Sequence, residues 1–312
     1  MSLAETEIYN IQNRHLETSS VETLLGALIH DHAAAIKAVN DAKHHIETAL
    51  NAAYKRLEKG LGRLVYVGAG TSGRLGVLDA AELTPTFGWP QKRIGVLMAG
   101  GETALTKAVE GAEDDAQQSL EDLRSLKLNQ HDVVIGLSAS GGAPYVIAAL
   151  KEARARGCVT IGIANSQNSD LLKEAEYPIY LCTGPEILQG STRLKAGTSQ
   201  KVFLSTFSTA LMMKLGYVYE GMMIHLEPSN KKLVARQQRI TQTLTGLSAD
   251  AALKLLSSAK GDNRIALLMF KRQLSFEQAN LLLEKHHGNV RKALDADVTS
   301  EEFATSDQPV TV

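Results

Sequence analysis

Leu64 to Gly88 reads LVYVGAGTSGRLGVLDAAELTPTFG: a short apolar run, a turn of glycines and hydroxyls, then a helix. Leu64, Val65, Tyr66 and Val67 have the continuous apolar character of a strand buried on both faces of a parallel sheet. Gly68-Ala69-Gly70-Thr71-Ser72-Gly73 lets the backbone turn sharply and brings bare N–H groups to a helix start, a ready anion site. The helix that follows carries one carboxylate, Glu82, about two and a half turns along. This stretch predicts a strand–loop–helix unit that grips an anion at its turn, with an acid/base group nearby.

The same alternation continues outward. Short apolar runs stand at Ile94 to Met98, Asp132 to Leu137, Cys158 to Ile163 and Ile179 to Leu181. Helices are expected from about Ala112 to Ser125, from about Ala143 to Arg156, and briefly near Leu171. Repeated βα units predict a parallel sheet with helices on both faces, whose ligands lie beyond the carboxyl ends of the strands. Before it, Val21 to Leu61 has helical spacing, with Leu24, Leu25, Leu28, Ile29, Ala33, Ile36 and Val39, then Ile46, Leu50 and Leu57. So long a lead-in is expected to pack on a sister chain. After it come an apolar helix, Val202 to Leu215, and a region that reads helical from Lys231 onward, with Gly288 as a stop and Asn289 as a cap. The tail from Ser300 is polar. The expected fold class is α/β, a doubly wound parallel sheet with a helical N-terminal lead-in and a helical C-terminal appendage. Its expected segments are residues 1–60, 61–225 and 226–312.

Composition narrows the function. The 312 residues are 44% hydrophobic with a formal net charge of −1, so a large core is available and no basic footprint for nucleic acid or an anionic membrane is present. No apolar run approaches the ~18 residues of a membrane span. Two cysteines, Cys158 and Cys182, read as small core residues and fit a reducing cytoplasm. The start, MSLAETEIYNIQNRHLE, is polar and acidic, so no signal peptide is expected.

Gly68-x-Gly70-x-x-Gly73 fits the dinucleotide fingerprint, but that reading needs an acidic residue closing the second strand. Here Met98-Ala99-Gly100-Gly101 intervenes before Glu102, which argues against a nicotinamide cofactor. A second loop, Ser138-Ala139-Ser140-Gly141-Gly142, repeats the first loop's chemistry after another strand. Two such loops side by side supply many donors to one phosphate; the plainer alternative is two ordinary βα turns. Glu82 lies among Asp79, Ala80, Ala81 and Leu83. Glu113 reads most simply as a dipole-matched residue in a helix's first turn. Glu186, in Gly184-Pro185-Glu186-Ile187, is expected near the ligand edge. His44-His45 and His286-His287 are adjacent pairs, unsuited to converge on one metal. Neither a metal nor a cofactor is expected.

The two loops resemble those of sugar isomerase (SIS) domains, a flavodoxin-like three-layer sandwich that binds phosphosugars. Ala80 to Gly88 (AAELTPTFG), Val109 to Asp114 (VEGAED) and Gly184 to Lys201 (GPEILQGSTRLKAGTSQK) resemble the N-acetylmuramic acid 6-phosphate etherase family. The last of these signatures is shared with the glucokinase regulatory protein. The resemblance covers most of the chain and implies a homodimeric cytoplasmic lyase of cell-wall sugar recycling. Such a lyase releases D-lactate and N-acetylglucosamine 6-phosphate, without metal or redox cofactor. By motif, Glu82 matches the family's acid/base glutamate and Glu113 its second, which overturns the plain reading of Glu113. Thr71, Ser72, Gly73, Ser138, Ser140 and Gly141 are expected to hold the phosphate; Glu186, Ser191, Thr192 and Lys195 are expected to line the same cavity. Two alternatives stand beside this reading: a phosphosugar isomerase, with Glu186 as a base, and a non-catalytic phosphosugar sensor. One departure falls at Ile224-His225-Leu226-Glu227-Pro228-Ser229-Asn230, where the family usually reads Val-Asp-Leu and then Thr-Asn or Ser-Asn. Leu282 to Val290 resembles a ubiquitin-associated-like helical appendage.

Overall fold

The computed structural model describes residues 4–225 and 231–297. The lead-in forms three helices, α1 (Val21–Asp31), α2 (Ala33–Asp41) and α3 (Lys43–Leu57). They are followed by β1 (Leu64–Gly68), α4 (Gly70–Phe87), β2 (Ile94–Met98), α5 (Ala116–Leu126), β3 (Val133–Leu137), α6 (Pro144–Ala155), β4 (Val159–Ala164), α7 (Asp170–Glu174) and β5 (Tyr177–Tyr180). Then come α8 (Lys195–Leu215), a hairpin of β6 (Val218–Tyr219) and β7 (Met222–Met223), and five helices: α9 (Lys231–Thr245), α10 (Ala249–Ser258), α11 (Asn263–Arg272), α12 (Phe276–Lys285) and α13 (Val290–Asp295).

Packing groups these elements into two units. The first holds the chain up to Leu83 together with Pro90–Leu211; the second holds Thr84–Trp89 and the chain from Met212 onward. This partition follows packing and differs from the sequence segments 1–60, 61–225 and 226–312.

In the first unit the five parallel strands run in the order β2-β1-β3-β4-β5. This is the doubly wound α/β sheet that the alternating pattern predicts. Every residue of β1, β3 and β4 is buried, because helices cover both faces. On one face Val65, Val67 and Val134 share a core with Leu123 of α5 and Tyr145, Val146, Ala149 and Leu150 of α6. On the other, Gly76 of α4 lies close enough to Tyr66 and Leu137 that an added Cβ would touch both. The lead-in belongs to this unit too: α3 runs along β3, β4 and β5 and buries Ile46, Ala49, Ala53 and Leu57 at helical spacing. At the opposite end of the strands, the fully buried carboxylate of Asp132 accepts from the Arg63 backbone N–H, the Arg63 guanidinium and the Asn129 N–H, which ties the starts of β1 and β3 together.

The second unit has its own core, including Ile240, Leu244, Leu256, Ala266, Leu268, Leu282 and Val290. Ser248, Asp262, Ser275 and Asn289 each cap a helix with their side chains. Gly288 sits at φ +81° and Asn289 caps α13, as the spacing predicts. Leu226 to Asn230 of the family departure, and the tail from Ser300, lie outside the described residues.

His225, the described end of that departure, stacks on Tyr217 with ring centroids 5.1 Å apart. The backbone of Gly88 presses on its carbonyl, where a Cβ would lie 2.0 Å from the oxygen. Burial and then the Arg264 charge push the imidazole down to about 4, against the pull of Asp262. The sign follows from linkage: the unfolded chain takes this proton near pH 6.5, while the folded one refuses it until about 4. Stability is therefore unaffected above about pH 6.5, falls as pH drops through that window, and levels off below about 4. Between pH 7.5 and 5 the loss from this residue is about 2 kcal/mol. Urea unfolding at the two pH values should show that loss in the wild type and little of it in His225→Phe; equal losses in both would contradict the assignment.

Candidate active site

In a 2-1-3-4-5 sheet the strand order reverses between β1 and β3, and the crevice opens beyond their carboxyl ends. Gly68 and Leu137 are register partners there, so the two glycine and hydroxyl loops leave the sheet side by side. In the first loop, Gly68 and Gly73 pack backbone to backbone. A Cβ on Gly68 would lie 2.5 Å from the Gly73 Cα, and one on Gly73 would lie 2.7 Å from the Gly68 carbonyl. That approach turns the chain straight from β1 into α4, so Thr71 and Ser72 occupy the helix's first turn, where backbone N–H groups lack helical partners, while the Gly73 N–H closes the turn by donating to Ala69 O at 3.0 Å. Ser72 and Gly73 are buried, Thr71 is half-buried and Gly70 faces outward.

The second loop is wound by its own serines. Ser138 Oγ accepts the Gly141 N–H at 3.1 Å, and Ser140 Oγ accepts the Gly142 N–H at 3.2 Å. A hydroxyl that accepts from its own loop keeps its hydrogen free to donate to an anion. Gly141 has φ +69°, and a Cβ there would meet Ser169 Oγ at 2.2 Å. Pro144 then starts α6 at a position where the missing N–H is harmless. The six residues expected to grip a phosphate thus lie on two adjacent loops at the switch point.

The carboxylates fall differently. Glu82 lies on the exposed flank of α4, beside Leu78 and Ala81; the face turned to the sheet carries Gly76, Asp79, Ala80 and Leu83. Within a single chain, then, Glu82 is not the desolvated carboxyl that its alanine-rich neighbourhood suggests. That group is Asp79, which accepts from Tyr66 Oη at 2.8 Å and Ser208 Oγ at 3.1 Å. Burial raises its pKa, partly offset by those two hydroxyls and by Lys201. Glu113 sits in a 3₁₀ turn, Ala112–Asp114, ahead of α5 rather than in its first turn, because Asp115 caps that helix by accepting from Gln118 N. With Gly70, Ala99 and Val109 it lines a cavity of about 230 Å³ beside the first loop. Arg74 also borders that cavity, but its guanidinium donates to the carbonyls of Ala104 and Lys107.

Glu186 is fully buried, and its two oxygens accept the N–H groups of Lys195 (3.2 Å) and Ala196 (2.9 Å), the first turn of α8. Burial raises its pKa; the two N–H bonds and the Lys195 charge oppose the rise. Its carboxylate is thus engaged by the helix rather than open to the crevice. Ser191 and Thr192, both half-buried, form the turn before α8. Lys195 is buried, with Nζ 2.6 Å from Asp31 Oδ1. Gly197 brings this turn against the first loop, since a Cβ there would touch Thr71 Cγ2 at 3.4 Å.

Asn165, unremarked in the sequence, joins the parts. Its backbone N–H donates to Ala139 O in the second loop, its Nδ2 to Leu181 O and Ser199 Oγ, and its Oδ1 accepts from Gln200 Nε2. The only sequence signal was a polar residue closing the apolar run of β4. Among the described residues no three His, Cys, Asp or Glu side chains converge as a metal site, and no helix is long and apolar enough to cross a membrane.

Sheet order and paired loops define the class, a SIS domain. Residues 107–210 match the SIS domain family model, and residues 44–154 match that of the glucokinase regulatory protein N-terminal SIS domain. At the level of fold, the chain resembles a protein of Bacteroides fragilis assigned as a phosphosugar isomerase involved in capsule formation. The TM-score is 0.50 at 20% identity, over 65% of this chain and 95% of that one. Within the class, the chain belongs to the N-acetylmuramic acid 6-phosphate etherase family. It is 48% identical to the Deinococcus radiodurans etherase over 279 residues, 89% of this chain and 91% of the relative. It is 44% identical to the Lactobacillus acidophilus etherase over 290 residues, 93% and 97% of the two chains.

Proposed function

We propose that this chain cleaves the D-lactyl ether of N-acetylmuramic acid 6-phosphate, giving N-acetylglucosamine 6-phosphate and D-lactate. The observation that carries the reading is the pair of hydroxyl loops at the β1/β3 switch point with Glu113 beside them, in a chain of this family. The ether oxygen at sugar carbon 3 is a poor leaving group, and the hydrogen at carbon 2 is acidic only while carbon 1 is an open-chain aldehyde. One carboxylate takes that proton, a carboxylic acid gives one to the departing oxygen, and water adds back across the double bond. In this reading Glu82 protonates the leaving oxygen and assists water addition, while Glu113 is the base or orients it. The loops, with Thr71, Ser72, Gly73, Ser138, Ser140 and Gly141, hold the 6-phosphate, and that remote binding energy fixes the reacting end. Ser191, Thr192 and Lys195 line the same cavity, and Glu186 serves it by anchoring α8. The engagement of Glu186 by backbone N–H groups leaves the rival isomerase without its candidate base.

The active form in this proposal is a homodimer in the cytoplasm. Val21, Leu25 and Ile29 make an exposed apolar stripe along α1, at 72%, 52% and 71% exposure, too apolar a line to leave in water. Leu78, next to Glu82 on α4, is also exposed, so a second copy would close off the face that carries Glu82. The unpaired Cys158 and Cys182 suit a reducing compartment. The test is direct: purified protein is incubated with N-acetylmuramic acid 6-phosphate and D-lactate is measured enzymatically. Stoichiometric D-lactate and N-acetylglucosamine 6-phosphate are expected; ketose formation from a hexose 6-phosphate, with no D-lactate, would overturn the reading.

A further inference from the structure

Glu113 stands on a stretch with little structure of its own. Between the end of β2 and the cap of α5, the regular structure is two short 3₁₀ turns, Glu102–Leu105 and Ala112–Asp114. The near end is moored to β1, since the Ala99 N–H donates to Gly68 O at 3.0 Å. Further along, Ala104, Lys107, Ala112 and Asp114 donate to carbonyls three or four residues back, which shapes each turn without fixing its place. At the far end Ala112 packs on the core that α5 and α6 share.

Between those moorings Arg74 ties the loop to α4. Its Nε donates to Ala104 O at 2.9 Å and to Leu105 O at 3.3 Å, and its Nη2 donates to Lys107 O at 3.1 Å. A guanidinium presents its N–H groups in a rigid planar fork and carries a full charge, so it sets the spacing of the carbonyls it meets as well as their distance. The loop then folds back on itself over Gly100, at φ +83°, where a Cβ would lie 3.1 Å from that of Ala104 and 3.0 Å from that of Val109. With Ala104 and Val109 drawn together over one glycine, a shift of the clamped carbonyls is passed on toward Glu113. Arg74, Ala104, Val109 and Glu113 all border the cavity beside the first loop, and Arg74 follows Gly73 directly.

We propose that Arg74 is a positioning residue: it clamps the β2–α5 loop to α4 and so holds the Glu113 carboxylate at a fixed place beside the first anion loop. This role rests on the reading that Glu113 acts in ether cleavage. Arg74 touches no reacting atom in this account and works only through the loop. The rival role for a cation at this turn is direct binding of the phosphate. The two roles separate in kinetics, because lost phosphate binding appears in affinity and a displaced Glu113 appears in turnover.

The experiment is a double-mutant cycle read by kcat and KM for D-lactate release and by calorimetric binding of N-acetylglucosamine 6-phosphate. The variants are Arg74→Gln, Glu113→Gln, the pair together, and Arg74→Lys. Arg74→Gln should lower kcat about 100-fold, the usual cost of moving a reacting group by about an ångström. Its product binding should stay within about threefold of the wild type. Arg74→Lys keeps the charge without the fork and should remain at least about tenfold slow. The double variant should be no slower than Glu113→Gln alone, since no base is left to misplace. The cycle is repeated with Arg74→Lys, so the test does not hang on the stability of Arg74→Gln. Arg74→Gln at wild-type kcat, beside a slow Glu113→Gln, would overturn the positioning role and leave the site reading intact. Glu113→Gln at wild-type speed would overturn that reading itself, and the positioning role with it. Slowing by Arg74→Gln that persists in the Glu113→Gln background would overturn the proposal, as would wild-type kcat in Arg74→Lys, where charge alone would suffice. Product binding weakened about a hundredfold in a folded Arg74→Gln would make Arg74 a phosphate ligand and overturn it too.

Discussion

Glu82→Gln and Glu113→Gln should each slow D-lactate release by about 10²–10⁴-fold, the usual contribution of one positioned acid or base. Both substitutions keep size and hydrogen-bonding reach while removing the exchangeable proton. Both residues lie outside the buried core, so folding should be unaffected: Glu82 is on the outer flank of α4 and Glu113 in an exposed 3₁₀ turn. Affinity for N-acetylglucosamine 6-phosphate should stay within about threefold, since the phosphate loops carry most of the grip. The measurement is single-turnover release of D-lactate together with calorimetric binding of the product. The two glutamates should also differ. If Glu82 donates to the leaving oxygen, a substrate bearing a better leaving group at carbon 3 should restore much of the rate in Glu82→Gln and little in Glu113→Gln. A Glu82→Gln enzyme at wild-type speed would remove Glu82 from the chemistry. The buried carboxylate on the same helix, Asp79, would not take its place, because its two oxygens already accept from Tyr66 and Ser208.

That contrast marks where sequence reading reaches its limit. The sheet was legible because each strand is a short apolar run and each loop breaks with glycine, which is backbone chemistry visible residue by residue. Ser138, Ser140 and Gly141 stand out because they repeat the first loop's chemistry after an apolar run, whereas the strand order that sets the two loops side by side is not written in any local pattern. Glu82 is harder, because residues adjacent in sequence are not neighbours on a helix. Its alanine-rich surroundings suggest burial, whereas on α4 it shares the outer flank with Leu78. The start of α5 was displaced because Asp115, rather than a residue before Ala112, supplies the cap. Glu186 reads from its place after a strand as a ligand-edge residue, but its carboxylate is tied to the first turn of α8, a backbone contact that no local pattern encodes. Asp31 and Asn165 are further cases. Asp31 bonds Lys195, 164 positions away, and Asn165 bonds Ser199, 34 positions away, and such contacts become visible only when the chain is folded.

The first loop should be intolerant at one glycine and forgiving at another three residues away. Gly73→Ala puts a methyl group 2.3 Å from Met98 Sδ and 2.7 Å from the backbone of Gly68. The methionine can swing aside, but the Gly68 carbonyl belongs to β1, which is paired on both sides in the middle of the sheet. The strain therefore has to open the turn, at a cost of about 3 kcal/mol or more. The first-turn N–H groups would then point away from one another, and phosphosugar binding should fall by at least about a hundredfold. Gly70 lies at φ +53° with open space within 4 Å of where a methyl would stand, so Gly70→Ala carries only the left-handed backbone penalty of about 1–2 kcal/mol. Its binding should fall less than about tenfold. Thermal unfolding with and without N-acetylglucosamine 6-phosphate reads both quantities at once. The ligand should raise the midpoint of Gly70→Ala nearly as much as that of the wild type and barely move that of Gly73→Ala. A Gly73→Ala protein stabilised by the ligand to the wild-type extent would mean that the first turn of α4 does not hold the phosphate, and the anion site would then have to rest on the serine loop after β3 alone.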